Sequence, residues 1–230
     1  MNSLQKVIIL FRGNTRSTAS LLLKPRPRLF IPCVTTIAVG CAIYGGVIGL
    51  WRGPQQALYT AIKFPLLIFL TCGANTLLNG ILAQVLGSGL SFRQTSTAIL
   101  MSFTVMAIIL AGLTPVAAFI LASNPALGSE QSRTGHGITL LCDVAFIAYT
   151  GVVGNVRLLM LLKQICPAAV ARRVFWGWLA GNLFLGAQLS WVLRPFIGSP
   201  GLEVQFLRDD PLRGNFYEAV FHTLKHLINR

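Results

Sequence analysis

Phe64–Gly87 runs for 24 residues without a charged side chain. At 1.5 Å rise per residue, a helix over such a stretch crosses the roughly 30 Å hydrocarbon core of a bilayer. Four further runs have the same character: Leu29–Trp51, Thr95–Ala122 interrupted by Pro115, Ile138–Leu162 carrying Asp143 and Arg157, and Val174–Val192, the shortest. Five apolar runs of this length leave room only for short loops and two terminal segments. The expected fold is an all-α integral membrane protein, a five-helix transmembrane bundle with amphipathic surface helices. Its parts are a basic N-terminal segment (1–28), the spanning domain (29–193) and a C-terminal extension (194–230).

Composition excludes the alternatives. Of the 230 residues 54% are apolar and 11% charged, with a mean hydropathy of +0.68. A soluble domain carries about 25% charged residues, so neither a soluble globule nor a disordered chain fits. The formal net charge of +13 points to nucleic acid in a soluble protein. Here the basic residues flank apolar runs, where positive-inside sorting and lipid headgroups account for them, and no nucleic-acid partner is expected. The five cysteines (Cys33, Cys41, Cys72, Cys142, Cys166) are odd in number and contain no CxxC pair, so no disulfide framework is expected.

The N-terminal segment carries Lys6, Arg12, Arg16, Lys24, Arg26 and Arg28 and no acidic residue. Lys24-Pro25-Arg26-Pro27-Arg28 reads as a stiff extended run. Such a segment stays on the cytoplasmic side, and five spans then carry the C-terminus across. The setting expected is a bacterial inner membrane. Gly53-Pro54 reads as a helix start, and Ala57, Leu58, Ala61 and Ile62 suggest an interfacial helix over about 54–62 leading into the second span. The stretch 123–137 reads as a surface loop.

Polar residues inside spans must face protein or water. Thr71, Asn75 and Asn79 recur at i, i+4, i+8 in the second span, and Asn182, Gly186 and Ser190 repeat that spacing in the fifth, beside Gly177-xxx-Gly181. The expectation is helix packing with amides bonding across the seam; the alternative is a polar conduit. Asp143 and Arg157 lie ~21 Å apart along one helix, too far to pair, and read as a buried hydrogen bond and an interfacial anchor, or as an ion site. Gly45-xxx-Gly49 suggests close helix approach. His222 and His226 share i, i+4 spacing but lack the HExxH glutamate. No metal, cofactor or catalytic constellation is expected.

The extension turns at Pro195–Gly201 and at Asp210-Pro211. Asn215–Arg230 then reads as an amphipathic helix, with Tyr217, Val220, Phe221, Leu224, Leu227 and Ile228 on one face. Phe221, Leu224 and Leu227 are its docking residues, toward a partner or the bilayer.

Three features resemble the Yip family of five-span membrane proteins: Trp51–Leu67 with Lys63-Phe64-Pro65 entering the second span, Leu86-Gly87-Ser88-Gly89-Leu90-Ser91-Phe92-Arg93-Gln94 linking spans two and three, and Pro115 in span three. The likeness covers about residues 30–195. The acidic N-terminal region and Asp-Leu-Tyr motif of eukaryotic members are absent, and the chain is more similar to the bacterial branch, for which the resemblance implies five spans and no known reaction. The functional expectation is a non-catalytic scaffold or accessory subunit among other membrane subunits. A small transporter or channel using Asn75, Asn79 and Asp143 is the alternative.

Overall fold

Helix termini in this chain are set by recognisable local chemistry. Ser91 begins a capping box: its hydroxyl accepts from the Gln94 N–H at 3.3 Å while Gln94 Oε1 accepts from the Ser91 N–H at 2.9 Å, satisfying two orphan donors reciprocally. One link earlier, Gly87 adopts φ +70°. That left-handed residue lets Gly87 N–H reach Gln84 O and Ser88 N–H reach Ala83 O, each at 3.0 Å, the double closure of a Schellman end.

The computed structural model describes Ile8, residues 15–23 and residues 27–228. The helices are α1 (Thr15–Leu23), α2 (Pro27–Gly49), α3 (Pro54–Val85), α4 (Phe92–Ala122), α5 (Ser132–Ile165), α6 (Ala168–Val192) and α7 (Phe216–Ile228), and no strand occurs among the described residues. Four segments are long and apolar enough to cross a membrane: Leu29–Gly49 within α2, and the whole of α3, α4 and α5. The chain is an all-α integral membrane protein. α6 has 25 residues, but Arg172, Arg173, Asn182 and Gln188 dilute its apolar content.

Several boundaries differ from the sequence reading. No separate interfacial helix exists at 54–62; α3 is one helix of 32 residues. Ser132 already begins α5, so the loop predicted to reach 137 ends earlier. Pro27 and Arg28 belong to α2 rather than to an extended run, because proline fits the first helical turn, where its missing N–H is unneeded. α1 has no counterpart in the sequence reading. Pro115 does not interrupt its helix, and Pro32 and Pro65 likewise lie inside continuous helices. Lys6, Arg12, Lys24 and Arg26 lie outside the described residues, as does the side chain of Leu227.

The chain forms two compact units. The first holds the residues up to Ala38, Ile68–Ile109 and Thr150–Leu185; the second holds Val39–Leu67, Leu110–Tyr149 and Gly186–Arg230. In the first, Leu22 of α1, Cys33 and Ile37 of α2, Ile99 of α4, Leu162 of α5 and Trp178 of α6 are buried. In the second, α2 and α3 meet at glycines. A Cβ on Gly45 would stand 2.6 Å from Thr60 O, and one on Gly49 would stand 2.7 Å from Ala57 Cα. Only the missing side chains allow that approach.

The second unit is polar inside and apolar outside along α3. Gln56, Thr60 and Lys63 are 0% exposed, while Leu58 is 60% and Ile62 52% exposed. Soluble domains bury the opposite set; a helix bathed in lipid hides polar groups against protein.

Candidate functional site

The buried face of α3 in the second unit captures the backbone of the C-terminal extension. Gln56, Thr60 and Lys63 recur at i, i+4, i+7 and therefore share one face. Gln56 Nε2 donates to Pro195 O at 3.1 Å and to Phe196 O at 2.9 Å. Thr60 Oγ1 lies 2.5 Å from Phe196 O, to which it donates. Lys63 Nζ donates to Leu193 O at 3.2 Å, to Phe206 O at 2.6 Å and to Pro195 O. Just ahead of the helix, Arg52 reaches Leu202 O at 2.8 Å.

The Lys63 ammonium is thus solvated by three carbonyls. The rings of Phe196 and Phe206 complete the enclosure, with centroids 5.5 and 5.2 Å from Nζ, within cation–π range. Among the described residues no carboxylate pairs with it. A buried charge is tolerable when hydrogen bonds replace its water.

The same cluster reaches Asp143 through rings. Phe196 meets Phe64 edge-on at 5.6 Å, and Phe64 meets Tyr44 at 5.4 Å. The Tyr44 hydroxyl donates to Asp143 Oδ1. Asp143 is buried, and a small pocket beside it is lined by Ile48, Thr139, Cys142 and Phe146. Asp143 therefore has a fixed partner on α2.

Trp191 and Arg194 close the extension. Trp191 Nε1 donates to Arg213 O at 2.9 Å. The Arg194 guanidinium stacks 3.8 Å from the Trp191 ring centroid and donates to the carbonyls of Trp191, Pro211, Asp210 and Arg213. Burial, with the nearby Arg208 charge, holds its pKa below the usual value while Asp210 opposes the shift. The segment 193–213 is thus docked on its own chain.

In the first unit, Asn75 and Asn79 meet α6 at the face read from the sequence. A Cβ on Gly181 would lie 3.4 Å from Asn79 Oδ1 and 3.6 Å from Asn75 Oδ1. The hydrogen bond across this seam is not the expected amide pair. It runs from Trp178 Nε1 to the backbone carbonyl of Asn79 at 3.1 Å. None of the four side-chain polar atoms of Asn75 and Asn79 bonds another group of the chain, nor does Asn182 Oδ1. Asp143 belongs to the other unit.

Of the docking residues, Phe221 and Leu224 are exposed on α7, with Asn215 Oδ1 capping that helix at the Glu218 N–H, 2.9 Å away. The residues that the sequence reading missed are Gln56, Thr60 and Lys63. Their signal was present: a polar i, i+4, i+7 stripe opposite Leu58 and Ile62. Among the described residues no three His, Cys, Asp or Glu side chains converge as metal ligands would. No protein-family model, curated protein or solved structure matches the chain.

Proposed function

We propose that this protein is a non-catalytic membrane scaffold, an accessory subunit of a larger membrane complex, with α2–α6 as five spans and the N-terminus cytoplasmic. The observation that carries the reading is the use made of the buried polar face of α3. Gln56, Thr60 and Lys63 are directed at this chain's own carbonyls and fix residues 193–206 as a shaped platform. The exposed leucines and isoleucines of α3 meanwhile suit contact with lipid or with other spanning helices. The likeness to Yip proteins belongs to this proposal and agrees with five spans. Purification in a mild detergent tests it: a membrane chain should co-purify in fixed ratio and be lost from Lys63→Met. Recovery of the chain alone overturns the reading. Cysteines introduced at residues 14 and 205 should react with an impermeant reagent from opposite sides; reaction from one side refutes an odd span count.

A second reading, a small carrier or channel, has one observation in its favour: Asp143 is buried beside a pocket with Tyr44 as partner, and an ionisable group at membrane depth is a default candidate for transport. Flux into liposomes that Asp143→Asn abolishes would favour it.

A further inference from the structure

We infer that α7 lies in the headgroup layer of an anionic bilayer, with Tyr217, Phe221, Leu224 and Ile228 inserted toward the acyl chains. The inference rests on the proposal that α6 crosses the membrane. Three observations converge on a lipid surface as the occupant of this face.

The first is position. Arg213, three residues before α7, is bonded through its carbonyl to Trp191 in the last turn of α6. A Cβ on Gly214 would stand 3.0 Å from the Trp191 ring. Arg194 ties down Asp210, Pro211 and Arg213 as well. The start of α7 is therefore held at the level of the end of α6, where a spanning helix meets the headgroups and tryptophan is enriched.

The second is the face itself. Tyr217, Phe221, Leu224 and Ile228 follow i, i+4, i+7, i+11 and are all exposed, Phe221 at 65%. Glu218, His222 and Lys225 occupy the other side. Over 13 residues the helix is about 20 Å long. Four partly exposed side chains are too few to bury the roughly 800 Å² per partner of a standard protein interface. A bilayer supplies an unlimited apolar surface to the same stripe.

The third is charge. The chain carries a net +13; within 211–228 Arg213 and Lys225 stand against Glu218, with Asp209 and Asp210 just before them. Basic residues beside an interfacial helix favour anionic lipid.

The test uses the full chain in nanodiscs of phosphatidylcholine and phosphatidylglycerol. Single variants Phe221→Cys, Ile228→Cys and Lys225→Cys are spin-labelled, with the wild type labelled in parallel to measure the native cysteines. Collision with oxygen reports lipid, and collision with a water-soluble nickel chelate reports solvent. Labels at 221 and 228 should meet oxygen several-fold more than nickel, and a label at 225 the reverse. Nickel access at 221 and 228 equal to that at 225 overturns the inference. Shielding of 221 and 228 from both reagents also overturns it, because protein then covers the face. Ile228→Cys keeps Phe221 in place, so loss of one anchor cannot imitate a negative result. A label at Leu183, exposed on α6, separates the two readings. Oxygen access at 183 with nickel access at 221 sinks the docking alone, whereas nickel access at 183 sinks the span on which it rests.

Discussion

Lys63 Nζ donates to the carbonyl oxygen of Phe206 at 2.6 Å, across 143 positions of sequence. Removing the ammonium while keeping an apolar stem, as in Lys63→Met, leaves the carbonyls of Leu193, Pro195 and Phe206 without that donor. Hydrogen bonds to charged groups contribute about 1.5–3 kcal/mol each, and orphaned buried acceptors cost more than the bond itself. Relief of the desolvation of the buried ammonium offsets part of that sum, and the expected net loss is about 3 kcal/mol, concentrated in residues 193–206. Trypsin should then cut after Arg208 faster than in the wild type, with a lower thermal midpoint in detergent. An unchanged cleavage rate would show that the rings and Gln56 hold the segment without Lys63.

Tyr44 and Asp143 form the next test. Tyr44→Phe removes the hydroxyl that Asp143 accepts from and leaves a buried carboxyl unpartnered, which costs about 1–3 kcal/mol. Asp143→Asn keeps an acceptor oxygen for Tyr44 and should cost less. In a double-mutant cycle the two changes together should fall short of their sum. Strict additivity in thermal midpoints would deny the pair.

Glycine substitutions separate close approach from simple flexibility. A Cβ on Gly49 would stand 2.8 Å from Gln56 O and 2.9 Å from Ala57 N, backbone atoms that cannot swing aside. Gly49→Ala should therefore cost about 1–3 kcal/mol through forced helix separation. Gly73 has nothing within 4 Å of its Cβ position, and Gly73→Ala should gain roughly 0.5–1 kcal/mol from helix propensity. Equal effects at both sites would remove the packing argument.

The helices were legible because their signals are local. Apolar runs too long for soluble helices mark Leu29–Gly49, α3, α4 and α5, while the capping pair Ser91 and Gln94, which sets the start of α4, lies ahead of the apolar run that begins at Thr95. The N-terminal part of α3 was misread for the same reason. Ala57, Leu58, Ala61 and Ile62 form an apolar face that suits an interfacial helix as well as the start of a span, so the local pattern reads as a separate helix over about 54–62. Nothing within 54–63 announces that the acceptors for Gln56 and Lys63 are carbonyls of residues 193–206. Backbone carbonyls carry no residue-type signature, so this part of the site could not be read from side-chain patterns. Tyr44 was hidden likewise, since its pairing with Asp143 spans 99 positions.

Asn75 tests whether the amide seam of the first unit is for packing or for passage. Its side chain is fully buried and neither polar atom bonds another group of the chain. Leaving a buried polar group unsatisfied costs about 1–3 kcal/mol. Leucine branches at the same carbon and presents no polar atom. If the seam is a packing surface, Asn75→Leu should raise the thermal midpoint by roughly a few degrees, with the extra volume of leucine offsetting part of the gain. Gly181 should tolerate the exchange, because its missing side chain leaves the Asn75 side clear. If the amides instead line a hydrated path, leucine removes groups that water or a solute was satisfying. The midpoint should then fall, and any flux measured in liposomes should fall with it. A midpoint that rises with flux unaffected assigns Asn75 to packing, whereas a joint fall assigns Asn75 to a conduit and overturns the packing prediction.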